Sequence, residues 1–323
     1  MFSRRLSLAL TATYAQNVAD PRVCQASRPL AQELVEGGLL LRTGPFVYRI
    51  RSDVPAVCEH LGSLYADYPR APAGSYVDFD MQVLRSRGWR RWLRAQSRFQ
   101  FEGTQSFEPL PLAHGFALLE WAMNWCVSSH VNHYLLIHSA VVERAGRALI
   151  LPAPPGSGKS TLCAALVHRG WRLLSDEIAV VPLTAPALLP LARPVGLKNA
   201  SIDVIARFEP QARFSRRAVG TSKGTVAHMQ VPSAQVRLMD VPAPAAWIVF
   251  PRWREGAAAR LTPRSRAPTL VELASNCFNA ASLGLEAFQR LGDLVDGCAC
   301  YDFEYGHLDD AIGIFDALAK EAS

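Results

Sequence analysis

The sequence predicts an α/β protein in which one large sheet follows a smaller α+β region. The main observation is the order of elements after residue 130, where an apolar run, a glycine-rich loop, a segment with helical periodicity and another apolar run follow one another. A strand, a loop, a helix and a strand in this order are typical of α/β domains. The second observation is that the elements become longer and more apolar after about residue 110, where Pro109 and Pro111 end a stretch of short elements. We therefore predict two domains, over residues 1–110 and 111–323.

The first region mixes short strands with short helices. Phe46–Arg51 and Ser75–Phe79 have strand-like composition, Val54–Tyr65 has helical spacing, and Pro72 and Gly74 interrupt the pattern. This mixture predicts a small α+β region, to which the sequence assigns no role.

The second region has longer and more apolar elements. Its predicted helices and strands, in chain order, are the helix Gly115–His130, the strands Tyr134–Val142 and Arg147–Pro152, the helix Lys159–His168 ended by Gly170, and the strands Trp171–Leu174 and Ile178–Leu183.

The bulk composition is that of an ordinary globular protein, with 50% hydrophobic and 19% charged residues. No apolar run approaches the roughly 18–20 residues that cross a bilayer, so we expect no membrane partner. The N-terminal segment resembles a secretory signal only weakly, and we expect a cytoplasmic protein. Seven scattered cysteines, with one close pair at Cys298 and Cys300, favour reduced structural thiols over a zinc site or disulfides.

The basic residues have an uneven make-up. The net charge is +6, and only four of the 34 basic residues are lysines, three of them between residues 159 and 223. A lysine kept against such an arginine background indicates a place for a compact point charge, and a basic balance suits anionic ligands. Six arginines between Arg85 and Arg98 are interleaved with Trp89 and Trp92. Without a known nucleic-acid module, we interpret this run as a solvated element, with nucleic-acid binding as the alternative.

The strongest motif is Ala153-Pro-Pro-Gly-Ser-Gly-Lys-Ser-Thr161, directly after an apolar run. It matches the phosphate-binding loop G-x-x-x-x-G-K-[ST], except that Ala153 takes the place of the first glycine. The loop amides, over Pro155, Gly156, Ser157, Gly158, Lys159, Ser160 and Thr161, are predicted to surround a nucleotide's phosphates. Lys159 would reach the outer phosphates, and the Ser160 hydroxyl would bind Mg²⁺. We therefore predict ATP and Mg²⁺ as cofactors.

Two adjacent carboxylates, Asp176 and Glu177, end the strand that follows the loop helix. Phosphoryl transfer needs a metal ligand and a group that deprotonates or orients the acceptor. We predict that one of Asp176 and Glu177 holds Mg²⁺ and that the other takes the acceptor's proton, with a simple turn as the alternative.

Three further groups are weaker candidates. His138 ends a strand-like run and by itself indicates a structural histidine. Arg193 and Lys198 flank a proline–glycine turn and are predicted to contact phosphate, with a solvated loop as the alternative. Residues 220–224, which carry Lys223, predict either a mobile lid or an ordinary loop.

These segments resemble the catalytic domains of HPr kinase/phosphorylases. The shared order is His138-Ser-Ala140, a hairpin, the loop Pro154–Thr161 and Trp171-Arg-Leu-Leu-Ser-Asp-Glu177. Arg193-Pro-Val-Gly-Leu-Lys-Asn199, Ser222-Lys-Gly224 and Val249-Phe-Pro-Arg252 resemble in particular the HprK-related kinase A group, relatives of lasso-peptide precursor kinases. The resemblance covers roughly residues 114–323.

The resemblance implies a sheet like the nucleotide-binding fold of PEP carboxykinase and transfer from Mg-ATP to a hydroxyl, typically a serine of a protein or peptide. It implies that Asp176 is the general base, that Glu177 fills the second acidic position, and that His138 lies near the acceptor and the phosphate. The family's Glu-x-Arg-Gly-x-Gly signature is absent after the kinase core, so the resemblance implies neither phosphorylase activity nor HPr as the acceptor.

We therefore expect a serine kinase that acts on a peptide or protein. A small-molecule kinase and a non-catalytic ATP-binding scaffold in a peptide-maturation pathway are the alternatives. The sequence leaves the acceptor and the oligomeric state open, a homo-oligomer included.

Overall fold

The chain folds as a mixed α/β protein with three β-sheets. A computed structural model describes residues 29–87, 95–154 and 156–321. The helix and strand bounds of the first part of the chain are α1 Leu30–Glu36, β1 Leu39–Thr43, β2 Phe46–Ser52, α2 Pro55–Leu64, β3 Phe79–Arg85, β4 Gln96–Phe101, β5 Thr104–Gln105 and β6 Leu110–Pro111.

These first six strands form one sheet, in the order β1-β2-β3-β4-β5, with β6 also paired to β4. Burial alternates along β2, β3 and β4, because successive side chains of a strand point to opposite faces and only one face is covered. The predicted strand Ser75–Phe79 is wrong in its bounds. A turn with Gly74 at φ +86° precedes it, and the Asp78 carboxylate accepts the Val47 amide at 2.7 Å, so the ladder begins only at Phe79.

The second part of the chain contains the two other sheets. Its strands are β7 Tyr134–Arg144, β8 Arg147–Pro152, β9 Arg172–Ser175, β10 Ile178–Pro182, β11 Ala187–Leu188, β12 Val195–Lys198, β13 Ala218–Thr221, β14 Gly224–Met229, β15 Ala243–Trp253, β16 Arg260–Pro263 and β17 Ala299–Tyr305. Its helices are α3 Gly115–His130, α4 Lys159–His168, α5 Ala200–Phe208, α6 Ser233–Val236, α7 Arg266–Ser275, α8 Ala280–Leu283, α9 Leu285–Asp296 and α10 Leu308–Glu321.

The largest sheet has eight strands, with a central order β10-β7-β8-β15-β17-β16. β8, β15 and β17 run parallel, whereas β7 is antiparallel to β8. The long strand β7 pairs with β10 along its first half and with β9 along its second half. The elements around the glycine-rich loop, β8, α4 and β9, thus occur in the order predicted from the sequence.

Both faces of this sheet are covered. Along β8, Leu149 and Leu151 belong to one apolar core, whereas Ala148 and Ile150 belong to the other. The first core contains α4 and α10 and continues into the N-terminal sheet, and the second contains α7 and α9. Both strands are covered on both faces, so β9 and β10 are buried throughout, and β10 is also apolar along its length, as is typical of sheets covered by helices.

The third sheet has the order β12-β14-β13 and lies beside α3. The proposed division at residue 110 stays a prediction. None of the helices in the described ranges combines the length and the apolarity needed to cross a bilayer. The arginine–tryptophan run and the N-terminal segment fall largely or wholly outside the described residues.

Candidate active site

The glycine-rich loop joins the C-terminal end of β8 to the N-terminus of α4. Gly156 and Gly158 have φ values of +90° and +89°, in the left-handed region that glycine adopts without strain. Gly158 is the residue before the first turn of α4, whose leading amides have no acceptor within the helix. The loop therefore combines free helix-end donors with the backbone angles that the motif predicts. Pro155 lies outside the described residues, and Ala153 is buried.

Two neighbouring strands hold the loop from outside. The Trp253 amide at the end of β15 donates to the Ser157 carbonyl at 2.9 Å, and the Tyr305 hydroxyl at the end of β17 donates to the Gly158 carbonyl at 3.1 Å. A Cβ atom on Gly158 would lie 2.5 Å from that Tyr305 oxygen and 2.8 Å from the Trp253 Cβ. The ends of the parallel strands thus leave room only for glycine at this position.

Asp176 and Glu177 occupy the two-residue break between β9 and β10. Both strands pair with β7, so the break faces the middle of β7, where the Ser139 amide donates to the Glu177 carbonyl at 3.2 Å. The Asp176 carboxylate accepts the Gly196 amide at 2.9 Å. The break brings both carboxylates beside the loop helix α4.

His138 joins the two halves of the site. Its Nε2 atom lies 3.0 Å from the Lys159 ammonium and 3.2 Å from a Glu177 carboxylate oxygen. One ring nitrogen cannot accept from Lys159 and donate to Glu177 at the same time. The tautomer of His138 therefore decides which of the two neighbours its Nε2 atom engages.

The two neighbouring carboxylates have opposite pKa shifts. Burial, and then the charge of Glu177, raise the pKa of Asp176 to about 6, while Lys159, the Gly196 amide and the Ser160 hydroxyl act against the rise. Burial also acts to raise the pKa of Glu177, but the His138 hydrogen bond and the charges of Lys159 and Lys198 outweigh it and lower the pKa to about 2. One carboxylate is poised to take up a proton near neutral pH, and the other stays ionised.

Lys159 itself is nearly buried, with 7% of its surface exposed. Burial lowers its pKa, and the charges of Glu177 and Asp176 partly restore it. The ammonium group thus contacts His138 and lies under the electrostatic influence of two carboxylates at the start of α4, which is the position of the motif lysine in a phosphate-binding loop.

A small cavity of about 20 Å³ opens beside the carboxylates. Its lining comes from α3, from the break after β9 and from the third sheet, and includes Trp121, Asn124, Asp176, Glu177, Gly196, Lys198, Val226 and His228. No described residue of the glycine-rich loop lines it. The carboxylates therefore border both the loop and a separate cavity.

The cationic residues predicted for phosphate differ in their surroundings. Lys198 lines the cavity, and in the described ranges its ammonium forms no ion pair. Arg193 is 7% exposed, and its guanidinium already engages Glu120 and the Asn124 side-chain oxygen. The structure thus leaves Lys198 open to a ligand, whereas Arg193 also lines the cavity but has its guanidinium engaged by α3.

Among the described residues no group of three or more histidines, cysteines and acidic residues could hold a metal ion. At the site itself, two buried oxygens have no hydrogen-bond partner among the described residues, Asp176 Oδ1 and Ser157 Oγ. A Mg²⁺ site that keeps several waters and takes one or two carboxylates together with substrate phosphates needs no larger protein cluster. The side-chain oxygens of Ser160, Asp176 and Glu177 are therefore ligands of the kind that Mg²⁺ takes.

Of the residues predicted from the sequence, the structure gathers His138, Lys159, Asp176 and Glu177 into one contact cluster, with Ser160 beside Asp176. Thr161 lies in the first turn of α4. Residues 220–224 form the turn between β13 and β14, closed by the Thr221 hydroxyl on the Gly224 carbonyl at 2.7 Å.

Sequence reasoning did not select Trp121, Asn124 or His228 for the site. Lys223, noted only as a rare lysine, has its ammonium 5.0 Å from the centre of the Trp121 ring. Burial and the charge of Lys198 lower the pKa of Lys223, and the charge of Glu177 acts to raise it. Three of the four lysines in the chain therefore converge on this site, and the rarity of lysine was the available signal for Lys223.

The fold and the site together define a mixed α/β protein with a glycine-rich anion-binding type of loop beside two carboxylates. No family model matches the sequence, and no curated protein matches it. The solved structures that resemble the chain include the Hpr(Ser) kinase/phosphatase from Coxiella burnetii, with 11% identity and a TM-score of 0.26. The alignment covers 58% of this chain and 98% of that one. At this TM-score the similarity carries no argument for the function, which depends on the site itself.

Proposed function

We propose that this chain is an ATP-dependent kinase that transfers the γ-phosphoryl group of Mg-ATP to a hydroxyl group, a serine of a peptide or protein. The observation that carries the proposal is Asp176, a buried carboxyl group with a pKa raised to about 6 and with one oxygen unpartnered among the described residues. It lies between the glycine-rich loop and a separate cavity. A group with these properties suits a general base, because the best catalytic pKa lies near the working pH.

The loop supplies the nucleotide side of the proposed site. The leading amides of α4 and the positive end of its dipole face the place where phosphates bind in such loops. Lys159 would contact the outer phosphates, with Lys198 approaching from the cavity side. Ser160 and Glu177 would hold Mg²⁺, which when bound supplies charge stabilisation to the phosphates.

The proton leaves the acceptor through Asp176. As the hydroxyl oxygen forms its bond to the γ-phosphorus, the bond from that phosphorus to the bridging oxygen of ADP breaks and Asp176 takes up the hydroxyl proton. Glu177 stays ionised through this step because its pKa is near 2. His138 would orient this carboxylate by donating to it from Nε2, which lies 3.2 Å away.

The cavity supports a small acceptor group. A space of about 20 Å³ holds little more than one water-sized group, which suits the hydroxymethyl group of a serine side chain presented by a longer chain. A whole small-molecule acceptor would need a wider opening, so the small-molecule kinase is the second candidate. A peptide or protein is therefore the proposed partner.

The third alternative is a scaffold that binds ATP without transferring phosphate. Such a protein would have no use for a buried carboxyl group with an unpartnered oxygen, whose ionisation costs stability. The Asp176 environment therefore favours an enzyme over a scaffold.

The family assignment is part of the proposal. The motif order of this chain supports membership in the HPr kinase-like superfamily, near the HprK-related kinase A group, with a phosphate-binding loop on a sheet of the PEP carboxykinase type. A cytoplasmic location is proposed on the same grounds.

Two variants test the function. Lys159→Ala is expected to weaken Mg-ATP binding about 10–100-fold, because it removes a charge-assisted contact to the phosphates. Asp176→Asn is expected to keep Mg-ATP binding within about twofold while lowering transfer about 10³-fold, since only the proton acceptor is lost. Calorimetry with Mg-ATP gives the first quantity, and transfer of labelled phosphate to serine peptides gives the second.

The outcomes separate the three candidates. Transfer to small hydroxy compounds but not to peptides would select the small-molecule kinase, and tight ATP binding without any transfer would select the scaffold. Unchanged transfer in Asp176→Asn would remove Asp176 from the mechanism.

A further inference from the structure

A chain of buried polar contacts runs from the N-terminal region to the proposed base. We infer that Arg193 is a positioning residue for Asp176 and that Tyr65, at the end of α2, acts through Arg193. The inference rests on the proposed role of Asp176 as the general base, and it gives the N-terminal region a part in the reaction.

The first link is a buried ion pair. Arg193 is 7% exposed and Glu120 is 2% exposed. One guanidinium nitrogen lies 3.4 Å from a Glu120 carboxylate oxygen and 3.5 Å from the Glu120 carbonyl, and another donates to Asn124. Both partners belong to α3, so the guanidinium is tied to one helix at three points.

The second link comes from the N-terminal region. The Tyr65 hydroxyl donates to the other Glu120 carboxylate oxygen at 2.6 Å, and the Tyr65 ring is buried. Burial raises the pKa of Glu120, and Arg193 and Tyr65 act to lower it. Tyr65 and Arg193 thus hold the carboxylate from two sides.

The third link leads to the site. Only Pro194 and Val195 separate Arg193 from Gly196, whose amide donates to Asp176 Oδ2 at 2.9 Å. On the other side of Arg193, the Leu191 amide donates to the Leu174 carbonyl at 2.7 Å. Residues 191–196 are therefore attached to β9 through Leu191 and to the Asp176 carboxylate through Gly196. Arg193, between these two residues, attaches the segment to α3.

A buried ion pair is poor evidence of a stabilising role, because well-packed apolar residues often serve stability as well or better. Its directional contacts instead fix geometry. Here they fix the segment that carries the Gly196 amide, and this amide donates a hydrogen bond to the Asp176 carboxylate at 2.9 Å. Loss of either contact on Glu120 is therefore expected to loosen that bond.

The test follows the Gly196 amide directly, at one fixed pH. Its hydrogen exchange is measured by NMR in protein labelled with ¹⁵N-glycine, and the Gly196 signal is identified by its loss in Gly196→Ala. In Tyr65→Phe and Arg193→Met, the protection of this amide is expected to fall about 10-fold or more, since the segment that carries it is held less firmly. Tyr65→Phe keeps the buried ring and provides the test if Arg193→Met does not fold.

Arg193→Met also removes a buried charge, and that charge interacts with Glu177 and His228 beside Asp176. Tyr65→Phe changes no charge. A loss of protection at the Gly196 amide in Tyr65→Phe therefore reports the position of the segment and not a change in the electrostatics of the site.

Arg290→Met is the matched control. Arg290 is 8% exposed and contacts the Ala185 carbonyl and Asp293, away from the site. This variant is expected to lose stability without a selective loss of protection at the Gly196 amide. An equal loss of protection in all three variants, or no loss in Tyr65→Phe and Arg193→Met, would overturn the inference.

The kinetic arm uses the full-length chain. In Tyr65→Phe, transfer is expected to fall about 10-fold in kcat with an unchanged KM for ATP. If the wild-type protein transfers no phosphate at all, the proposed function fails, while the exchange of the Gly196 amide still decides whether Arg193 positions the segment over Asp176.

Discussion

The charged groups of the N-terminal sheet differ in their environment from those of the candidate site. On the sheet, Arg49 and Arg51 share Asp80 at 3.1 and 2.7 Å, and all three side chains are about one-third exposed. In the site, Asp176 and Lys159 are nearly buried, and the Asp176 carboxylate keeps an oxygen that no described residue satisfies. Asp80 Oδ1 also lacks a partner among the described residues, so the two sets differ mainly in burial, the first being partly solvated and the second nearly buried.

This difference in burial indicates how much each set of charged groups contributes to stability and to function. A solvated ion pair contributes at most about 1 kcal/mol, so the sheet does not depend on it. A buried, incompletely paired carboxylate costs stability, and proteins keep such groups mainly at functional sites. The comparison predicts large effects at the loop, intermediate effects at Asp176 and small effects on the sheet.

The largest effect is expected for Gly158→Ala. Its positive φ disfavours alanine by about 1–2 kcal/mol, and the new Cβ would meet Tyr305 and Trp253 in addition. We expect Mg-ATP binding to weaken about 100-fold or more in calorimetry. Gly156→Ala is the matched control, because Gly156 has nearly the same φ but no atom within 4 Å of an added Cβ. Equal losses in the two variants would contradict the role of the strand ends in shaping the loop.

An intermediate effect is expected for the stability of Asp176→Asn. The folded pKa of Asp176, about 6, lies above its ordinary value of 3.8, so the folded state binds the proton more tightly. The stability that the protonated Asp176 gives the folded state is therefore lost as the pH rises from about 4 to 6. Over this range its contribution to the free energy of unfolding falls by roughly 3 kcal/mol. The wild-type protein should show this decline in urea unfolding, and the asparagine variant should lack it.

Glu177 has the opposite sign and serves as the comparison. Its folded pKa, about 2, lies below its ordinary value of 4.5, so its contribution is present above pH 4.5 and is lost on acidification. Parallel stability curves for the wild type and Asp176→Asn between pH 4 and 8 would show that Asp176 is not a strained carboxyl group.

The smallest effect is expected on the N-terminal sheet. Asp80→Asn removes one partner from both Arg49 and Arg51, and the exposed arginines remain solvated. We expect the free energy of unfolding to change by less than about 1 kcal/mol, and Mg-ATP binding to stay the same. A loss of several kcal/mol would mean that this partly exposed cluster affects the free energy of unfolding as strongly as the buried groups of the site.

Much of the fold around the site could be predicted from the sequence. The helix Gly115–His130 and the strand Arg147–Pro152 have the predicted bounds, because long periodic or apolar segments are strong local signals. The strand near residue 75 was misplaced, since a turn and a side-chain bond from Asp78 delay the ladder, and neither follows from local composition.

For the site, the motif residues were predictable, and their surroundings were not. Lys159 and Asp176 were selected from spacing, and the structure places them together. Arg193 was selected as a phosphate contact because it is a cation in a turn, but its partners on α3 are about 70 residues away in sequence. No local pattern indicates such a pairing, and the same holds for Trp121 in the cavity wall.

The sequence by itself determined the loop, the order of strands and helices around it, and the adjacency of Asp176 and Glu177, since these depend on backbone preferences and on spacing along the chain. Only the tertiary structure decided that the two carboxylates have opposite pKa shifts, that Arg193 faces α3, and that three lysines converge on one site. The reason is physical: burial and the charge of neighbours set a group's chemistry, and both come from segments that are distant in the chain.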